Sequence, residues 1–148
     1  MLPKTVTDKL MPNEFTLVQL SDSHLFADIN GQHHQANVYQ NLKRVLLSIK
    51  QQPSIDAIVF TGDLTQDHTE ASYQLFANAF DDLEINIPVY FVAGNHDEPA
   101  LLKQYLSKAP FCQNSVIEND YWQVLLLESK SETPAGVITA EECNKASS

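Results

Sequence analysis

The sequence predicts an α/β fold in which a mostly parallel or mixed sheet carries helices on its outer face. Three observations predict it: short apolar runs alternate with amphipathic segments, each apolar run ends in a small polar loop, and the amphipathic segments have the period of a helix. Alternation of strand and helix is typical of sheets that are covered by helices. With 148 residues, 43% of them hydrophobic and 19% charged, the chain can form one packed domain.

The first strand–helix unit begins at residue 15. Residues 15–20 form a short apolar run, Phe-Thr-Leu-Val-Gln-Leu, which ends at the polar loop Ser-Asp-Ser-His. We expect a helix over residues 37–51, because apolar side chains recur there at steps of three and four and Pro53 closes the segment. These side chains are Tyr39, Leu42, Val45, Leu46 and Ile49.

Two further units of the same kind follow along the chain. Residues 57–60, Ala-Ile-Val-Phe, are continuously apolar, as expected of a strand that is covered on both faces, and they precede a predicted helix over residues 70–83. Residues 88–92 form the third strand. A helix is expected from Pro99, since proline suits the first turn of a helix.

The last third of the sequence predicts two more strands and the start of a helix. The strands are expected over residues 115–118 and 122–127, and we expect Tyr121 and Trp122 to pack against the sheet. The segment Thr-Ala-Glu-Glu at residues 139–142 has the form of a capping box, which indicates a helix N-terminus.

Polar side chains that can bind metal follow each of the first three strands. Asp22 and His24 are two residues apart, so in extended backbone their side chains point the same way and can bind one ion. Asp63 has two carboxylate oxygens that can bridge two ions, Asn95 offers a neutral oxygen ligand, and His96 can donate a proton. Any one of these sets of polar side chains, taken alone, is more often part of a polar turn than of a metal site. Because the carboxyl ends of such strands meet at one edge of a sheet, the three sets together predict a metal site.

The order of these motifs resembles the signature of the calcineurin-like metallophosphoesterases. Segments 17–27, 61–68 and 122–129 are also similar to the bacterial class III 3',5'-cyclic-AMP phosphodiesterases, and the resemblance covers about residues 15–142. It implies the amino-terminal part of an αββα sandwich. The matching motifs are Asp22-Ser23-His24, Gly62-Asp63 and Gly94-Asn95-His96-Asp97.

The resemblance implies a site with two divalent metal ions, commonly iron and manganese, that hydrolyses cyclic AMP to 5'-AMP. Asp22 and His24 would hold the first ion, Asp63 would bridge, and Asn95 would bind the second. His24, Asp63, Asn95 and His96 would also lie against the phosphate of the nucleotide. His96 would be catalytic, assisting departure of the ribose oxygen.

The resemblance also implies histidines after a later strand and in a Gly-His-x-His loop, whereas His96 is the last histidine of this chain. We therefore expect residues 1–148 to be a single, incomplete metallophosphoesterase domain with a flexible N-terminus over residues 1–14. We expect weak metal binding, slow or absent turnover and self-association of the isolated chain. Two alternatives stay open: a metallophosphoesterase that acts on other phosphate esters, and a truncated fragment that binds metal or nucleotide without catalysis.

The charge of the chain bounds its partners. Nine Lys and Arg against 19 Asp and Glu give a formal net charge of −10, which argues against a nucleic-acid partner, because such binding depends on cationic contacts with phosphates. Any positive charge for an anionic substrate is expected to come from metal ions. No apolar run approaches the length of a membrane span, so no membrane partner is expected. The absence of a secretory signal and the unpatterned Cys112 and Cys143 predict a cytoplasmic location.

Three other polar positions are weaker candidates. His33 and His34 follow Gly31 in a polar stretch that is expected to be a surface loop, although such a loop can overhang the site. Asp67 resembles the acid that orients the catalytic histidine in related phosphatases, but its spacing from Asp63 is four rather than three, and we discount it. His68 is expected to be exposed to solvent.

Overall fold

A computed structural model describes residues 14–148, which form eight strands and four helices. The flexible N-terminus expected for residues 1–14 lies outside the described residues, Glu14 excepted. In chain order the elements are β1 (Leu17–Leu20), β2 (Gln32–His33), β3 (Ala36–Asn37), α1 (Val38–Gln51), β4 (Ala57–Phe60), α2 (Glu70–Asp82), β5 (Val89–Phe91), α3 (Pro99–Tyr105), β6 (Phe111–Cys112), β7 (Val116–Glu118), β8 (Gln123–Leu125) and α4 (Ala140–Ser147).

The central sheet has four parallel strands in the order β1–β4–β5–β6. Leu20 pairs with Phe60, and Phe60 pairs with Phe91. The carboxyl ends of β1, β4 and β5 are therefore level with one another. The prediction of a parallel sheet is confirmed. Strand β6 was not predicted, since a strand of two residues is too short to show a period.

Helices α1, α2 and α3 belong to one hydrophobic core, which lies on one face of the sheet. Helix α1 begins after Asn37, whose side chain accepts a hydrogen bond from the backbone N–H of Gln40. It buries the predicted residues Tyr39, Leu42, Leu46 and Ile49. The assignment of Val45 to the same stripe is wrong: Val45 is 44% exposed because it lies one position outside the buried arc.

The other face of the sheet is covered in part by the antiparallel hairpin β7–β8. Ile117 of this hairpin forms a second, smaller core with Ala57 and Val59. The expectation that Tyr121 and Trp122 pack against the sheet is wrong, since they are 59% and 56% exposed. The Asn119 side chain accepts hydrogen bonds from the backbone N–H groups of both residues, which places them in the turn at the tip of the hairpin.

The C-terminal helix α4 has one half of the predicted capping box. The Thr139 side chain accepts a hydrogen bond from the Glu142 N–H, as expected. Glu142 does not complete the box with the Thr139 N–H. Its carboxylate accepts instead from the backbone N–H of Glu128 at 3.1 Å, and it forms an ion pair with Lys145.

Helix length bears on membrane insertion. The longest helix in the described part of the chain, α1, has 14 residues, whereas crossing a bilayer takes about 20 apolar residues. Within residues 14–148, no helix combines the length and the apolar character that a membrane span requires.

Candidate metal centre

Parallel pairing continues past the ends of β1 and β4 and aligns the first two predicted loops. The Asp22 N–H donates to the Gly62 carbonyl at 2.9 Å, and the His24 N–H donates to the Asp63 carbonyl at 3.0 Å. The next residue, Leu25, is fully buried and pairs with Thr65 in an isolated bridge. The ladder therefore sets Asp22 and His24 directly beside Asp63.

The side chains of these three residues converge. His24 Nε2 lies 3.4 Å from Asp22 Oδ1 and 4.0 Å from Asp63 Oδ2, and one ligand atom from each residue lies within 4.8 Å of the others. The side chain of Asp22 is 61% exposed, whereas those of His24 and Asp63 are 15% and 17% exposed. Two carboxylates this close repel each other, and a divalent cation relieves that repulsion. This donor set therefore fits a transition metal, for which imidazole and carboxylate are suitable ligands.

All three residues have left-handed backbone. Their φ angles are 58° at Asp22, 42° at His24 and 58° at Asp63. This conformation costs an L-residue roughly 1–2 kcal/mol, although Asp and His adopt it more often than most residues. Strain of this kind is concentrated at functional sites, where the surrounding fold holds it in place.

Two glycines allow the second and third loops to touch through their backbones. Gly62 has φ of 103°, and a Cβ added there would lie 2.2 Å from the Gly94 nitrogen. A Cβ added at Gly94 would lie 2.2 Å from Asp63 Oδ1. Neither position can accept a larger residue without separating the loops, so the close approach of Asp63 to the third loop requires glycine on both sides.

The third loop brings Asn95 and His96 to the same edge. The His96 N–H donates to Asp63 Oδ1 at 3.1 Å, and the His96 ring meets the His24 ring edge-on with centroids 5.2 Å apart. Asn95 is exposed and lines, with Asp22 and Asp63, a cavity of about 240 Å³. The structure thus gathers all five predicted site residues. Their roles as ligands, substrate contacts and proton donor stay predictions.

The far wall of this cavity is formed by residues 129–136, which the sequence analysis did not assign to the site. Lys130 belongs to this wall, and its ammonium group donates to the Asn95 carbonyl at 3.3 Å. The expectation that metal ions alone supply positive charge here therefore needs correction. The long interval between Lys130 and the motifs gave no sequence signal for its position.

Asp97 holds the second and third loops together from below. One carboxylate oxygen accepts from the N–H groups of Leu64 at 2.8 Å and Thr65 at 3.3 Å, and the other accepts from the Gly94 N–H at 2.9 Å. Asp97 is only 2% exposed, and this burial raises its pKa although the N–H donors favour the ionised form. No role was predicted for Asp97, though it is the fourth residue of the Gly-Asn-His-Asp motif.

The five histidines of the chain form one continuous row across the site. The order is His34, His33, His24, His96 and His68, and the centroid distances between successive rings are 4.1, 4.9, 5.2 and 5.6 Å. His33 lies in the hairpin β2–β3, which the sequence analysis expected to be a surface loop. Partial burial and the neighbouring imidazoles of His34 and His24 lower the pKa of His33. The hairpin does overhang the site.

The other two weaker candidates also have defined positions. His68 is exposed, as expected, but its Nδ1 lies 2.9 Å from the His96 carbonyl oxygen and its ring is parallel to that of His96. Asp67 instead accepts hydrogen bonds from the Ala27 N–H at 2.7 Å and from the Thr69 hydroxyl. It closes the turn before α2, as expected of a residue that does not orient the catalytic histidine.

The family profile and the similar proteins agree on the class of enzyme that this chain resembles. The sequence profile of the calcineurin-like phosphoesterases matches residues 15–140. The chain is 52% identical over 136 residues to a probable cyclic nucleotide phosphodiesterase of Colwellia psychrerythraea, covering 90% of this chain and 52% of that protein. It is 32% identical over 128 residues to a 3',5'-cyclic adenosine monophosphate phosphodiesterase of Vibrio vulnificus (85% and 46% covered) and 35% identical over 120 residues to that of Escherichia coli (77% and 42%).

The chain spans about half the length of the curated relatives that it matches. The matched half includes all three loops of the candidate metal centre, since they lie between residues 15 and 140.

Proposed function

The chain belongs to the calcineurin-like phosphoesterase family, a family of hydrolases that use divalent metals, and from this premise we propose that it carries the metal-binding part of a phosphodiesterase active on 3',5'-cyclic AMP. The observation that carries the proposal is the convergence of Asp22, His24 and Asp63 at the carboxyl edge of a parallel sheet. The substrate follows from the relatives named as cyclic nucleotide phosphodiesterases.

We assign two divalent ions to the site, iron or manganese by the resemblance. Asp22, His24 and Asp63 would hold one ion, and Asp63 and Asn95 would hold the other. Bound there, the ions would offset the charge of the phosphodiester and generate a hydroxide nucleophile near neutral pH. Four protein ligands are few for two ions that each take about six donors. We therefore expect the 148-residue chain to bind metal weakly.

The protein groups divide the remaining tasks. Asn95 and the ammonium group of Lys130 line the cavity and can contact the phosphate oxygens of the substrate. In the net reaction, water adds to phosphorus, the bond from phosphorus to the 3'-oxygen breaks, and that oxygen takes up a proton. We assign the proton to His96. Its Nδ1 is buried without a partner among the described residues, which leaves Nε2 to exchange the proton.

The test is hydrolysis with added Mn²⁺ by the full chain and by the Asp63→Asn variant. Release of 5'-AMP from cyclic AMP, abolished by chelation of the metal and by Asp63→Asn, supports the proposal. Faster hydrolysis of a generic aryl phosphodiester than of cyclic AMP would favour a phosphoesterase of different substrate. Mn²⁺ binding without any hydrolysis would favour the non-catalytic alternative, and absence of Mn²⁺ binding would refute the metal site.

The remaining expectations stay predictions. They are the single, incomplete domain, self-association of the isolated chain and the cytoplasmic location. Size-exclusion chromatography tests the second, since a sharp monomer peak together with cooperative melting would contradict it.

A further inference from the structure

The proposed metal ligand His24 lacks the contact that usually fixes a metal-bound histidine. A metal-bound histidine normally donates its second ring N–H to a carboxylate, a carbonyl or water, and this bond sets the orientation of the ring. In His24, Nε2 faces the two carboxylates, whereas Nδ1 is buried and has no hydrogen-bond partner within residues 14–148. Some other contact must therefore hold the imidazole in place.

Two neighbouring rings supply this contact. The His33 ring is stacked on His24, with centroids 4.9 Å apart and planes inclined by 19°, while the His96 ring meets it at 87°. His24 is thus enclosed on one face by His33 and along another side by His96. Packing between these rings restricts rotation of the imidazole in the way that a hydrogen bond otherwise would.

The hairpin that carries His33 is built for a fixed position. His33 pairs with Ala36 across a two-residue turn, and the turn residues His34 and Gln35 have φ of 47° and 65°. Positive φ at both positions defines the tight hairpin turn that usually contains Asn-Gly. Here two larger residues adopt it, and the His34 ring also packs against His33 with centroids 4.1 Å apart. A strained turn therefore presents His33 to His24.

We propose that His33 is a positioning residue for the metal centre, which fixes the His24 imidazole by stacking and so keeps Nε2 directed at the ion. His33 lies outside the group of Asp22, His24 and Asp63, whose ligand atoms come within 4.8 Å of one another, and we assign it no ligand role. This inference rests on the proposed function, because it needs an ion at Asp22, His24 and Asp63. It predicts that the aromatic ring at position 33 matters and its nitrogens do not.

The experiment measures Mn²⁺ affinity by calorimetry for the full chain and three variants. His33→Ala removes the ring and is expected to weaken Mn²⁺ binding by about tenfold, the lower end of losses at groups that orient ligands. His33→Phe keeps a stacking ring and is expected to bind within about threefold of the unchanged protein. Gln32→Ala is the matched control, since Gln32 is an exposed neighbour in the same strand, and is expected to have no effect.

A second readout does not depend on metal. In the metal-free protein, the ring C–H resonances of His24 should broaden in His33→Ala, because the imidazole then samples more than one orientation, and should stay sharp in His33→Phe. Equal Mn²⁺ affinity of His33→Ala and the unchanged chain would overturn the inference, as would a loss of affinity in His33→Phe equal to that in His33→Ala. If the unchanged chain binds no Mn²⁺, the proposed function fails, and unaltered line widths of the His24 ring C–H resonances in His33→Ala then overturn the positioning role separately.

Discussion

Gly94→Ala should separate the two loops that meet at the candidate metal centre. The added Cβ would lie 2.2 Å from Asp63 Oδ1 and 2.3 Å from the Asp63 nitrogen. Ordinary contact begins at 3.4 Å, so Asp63 or Gly94 must retreat by about 1.2 Å, the difference between 2.2 and 3.4 Å. Overpacking of this kind costs about 1–3 kcal/mol of unfolding free energy.

The same displacement should weaken metal binding. Metal–ligand distances are tolerant only to about 0.2 Å, so a carboxylate displaced by several times that distance no longer coordinates well. We expect Mn²⁺ affinity to fall by at least about tenfold. At a Mn²⁺ concentration of about 100 times the dissociation constant, the unchanged protein should gain about 2.7 kcal/mol of stability, whereas a variant binding tenfold more weakly should gain only about 1.4 kcal/mol.

The assay is urea unfolding with and without Mn²⁺, and Gly136→Ala is the matched control. Gly136 lines the same cavity, but a Cβ there would lie 3.1 Å from its nearest atom, the Ser129 carbonyl oxygen, which needs a shift of only a few tenths of an ångström. Gly136→Ala should therefore keep nearly all of the stability and of the gain from Mn²⁺. Indistinguishable results for the two variants would refute the argument that backbone contact at Gly94 shapes the site.

Three further predictions follow from other contacts. Asp97→Ala leaves three backbone N–H groups without their acceptor. Each buried donor that loses its acceptor costs about 1–3 kcal/mol, so the unfolding free energy measured in urea should fall by at least about 3 kcal/mol. A loss below about 1 kcal/mol would contradict this prediction. Burial raises the pKa of Glu128, so its contribution to stability is present below its unfolded pKa of 4.5 and is lost as pH rises through the folded pKa. The stability of the unchanged chain relative to Glu128→Gln should therefore fall as urea unfolding is repeated at increasing pH from 4 to 8, and a constant difference would argue against it. Asn37→Ala removes the N-cap of α1 and should cost about 1 kcal/mol in thermal or urea unfolding.

The sequence predicted the fold, and it predicted which side chains converge at the sheet edge, because both depend on local patterns. The strand β4 is continuously apolar, as predicted. Helices α1 and α2 begin and end within one residue of their predicted bounds. The motifs themselves lie immediately after strands, so parallel pairing alone brings Asp22, His24 and Asp63 together.

What the sequence could not predict depends on contacts between distant segments. Lys130 lies at the cavity because of the course of the loop that carries it. No periodicity in the sequence predicts the course of a loop. His33 meets His24 because of a two-residue turn with left-handed backbone at His34 and Gln35, residues that carry no signal for such a turn. The exposure of Trp122 follows from the turn geometry at Asn119 rather than from hydropathy.

The position of β1 at the edge of the sheet has a consequence for motion. Within residues 14–148, β1 has a hydrogen-bonded neighbour strand on one side only, β4, and the loop after it supplies Asp22 and His24, while Asp63 follows the interior strand β4. An ion held by Asp22, His24 and Asp63 would connect the edge strand β1 to its interior neighbour β4. The N–H groups of His24 and Leu25 donate to carbonyls of the segment that follows β4. Their amide hydrogen exchange should therefore slow when metal is bound, because opening of the sheet edge would first require release of the ion.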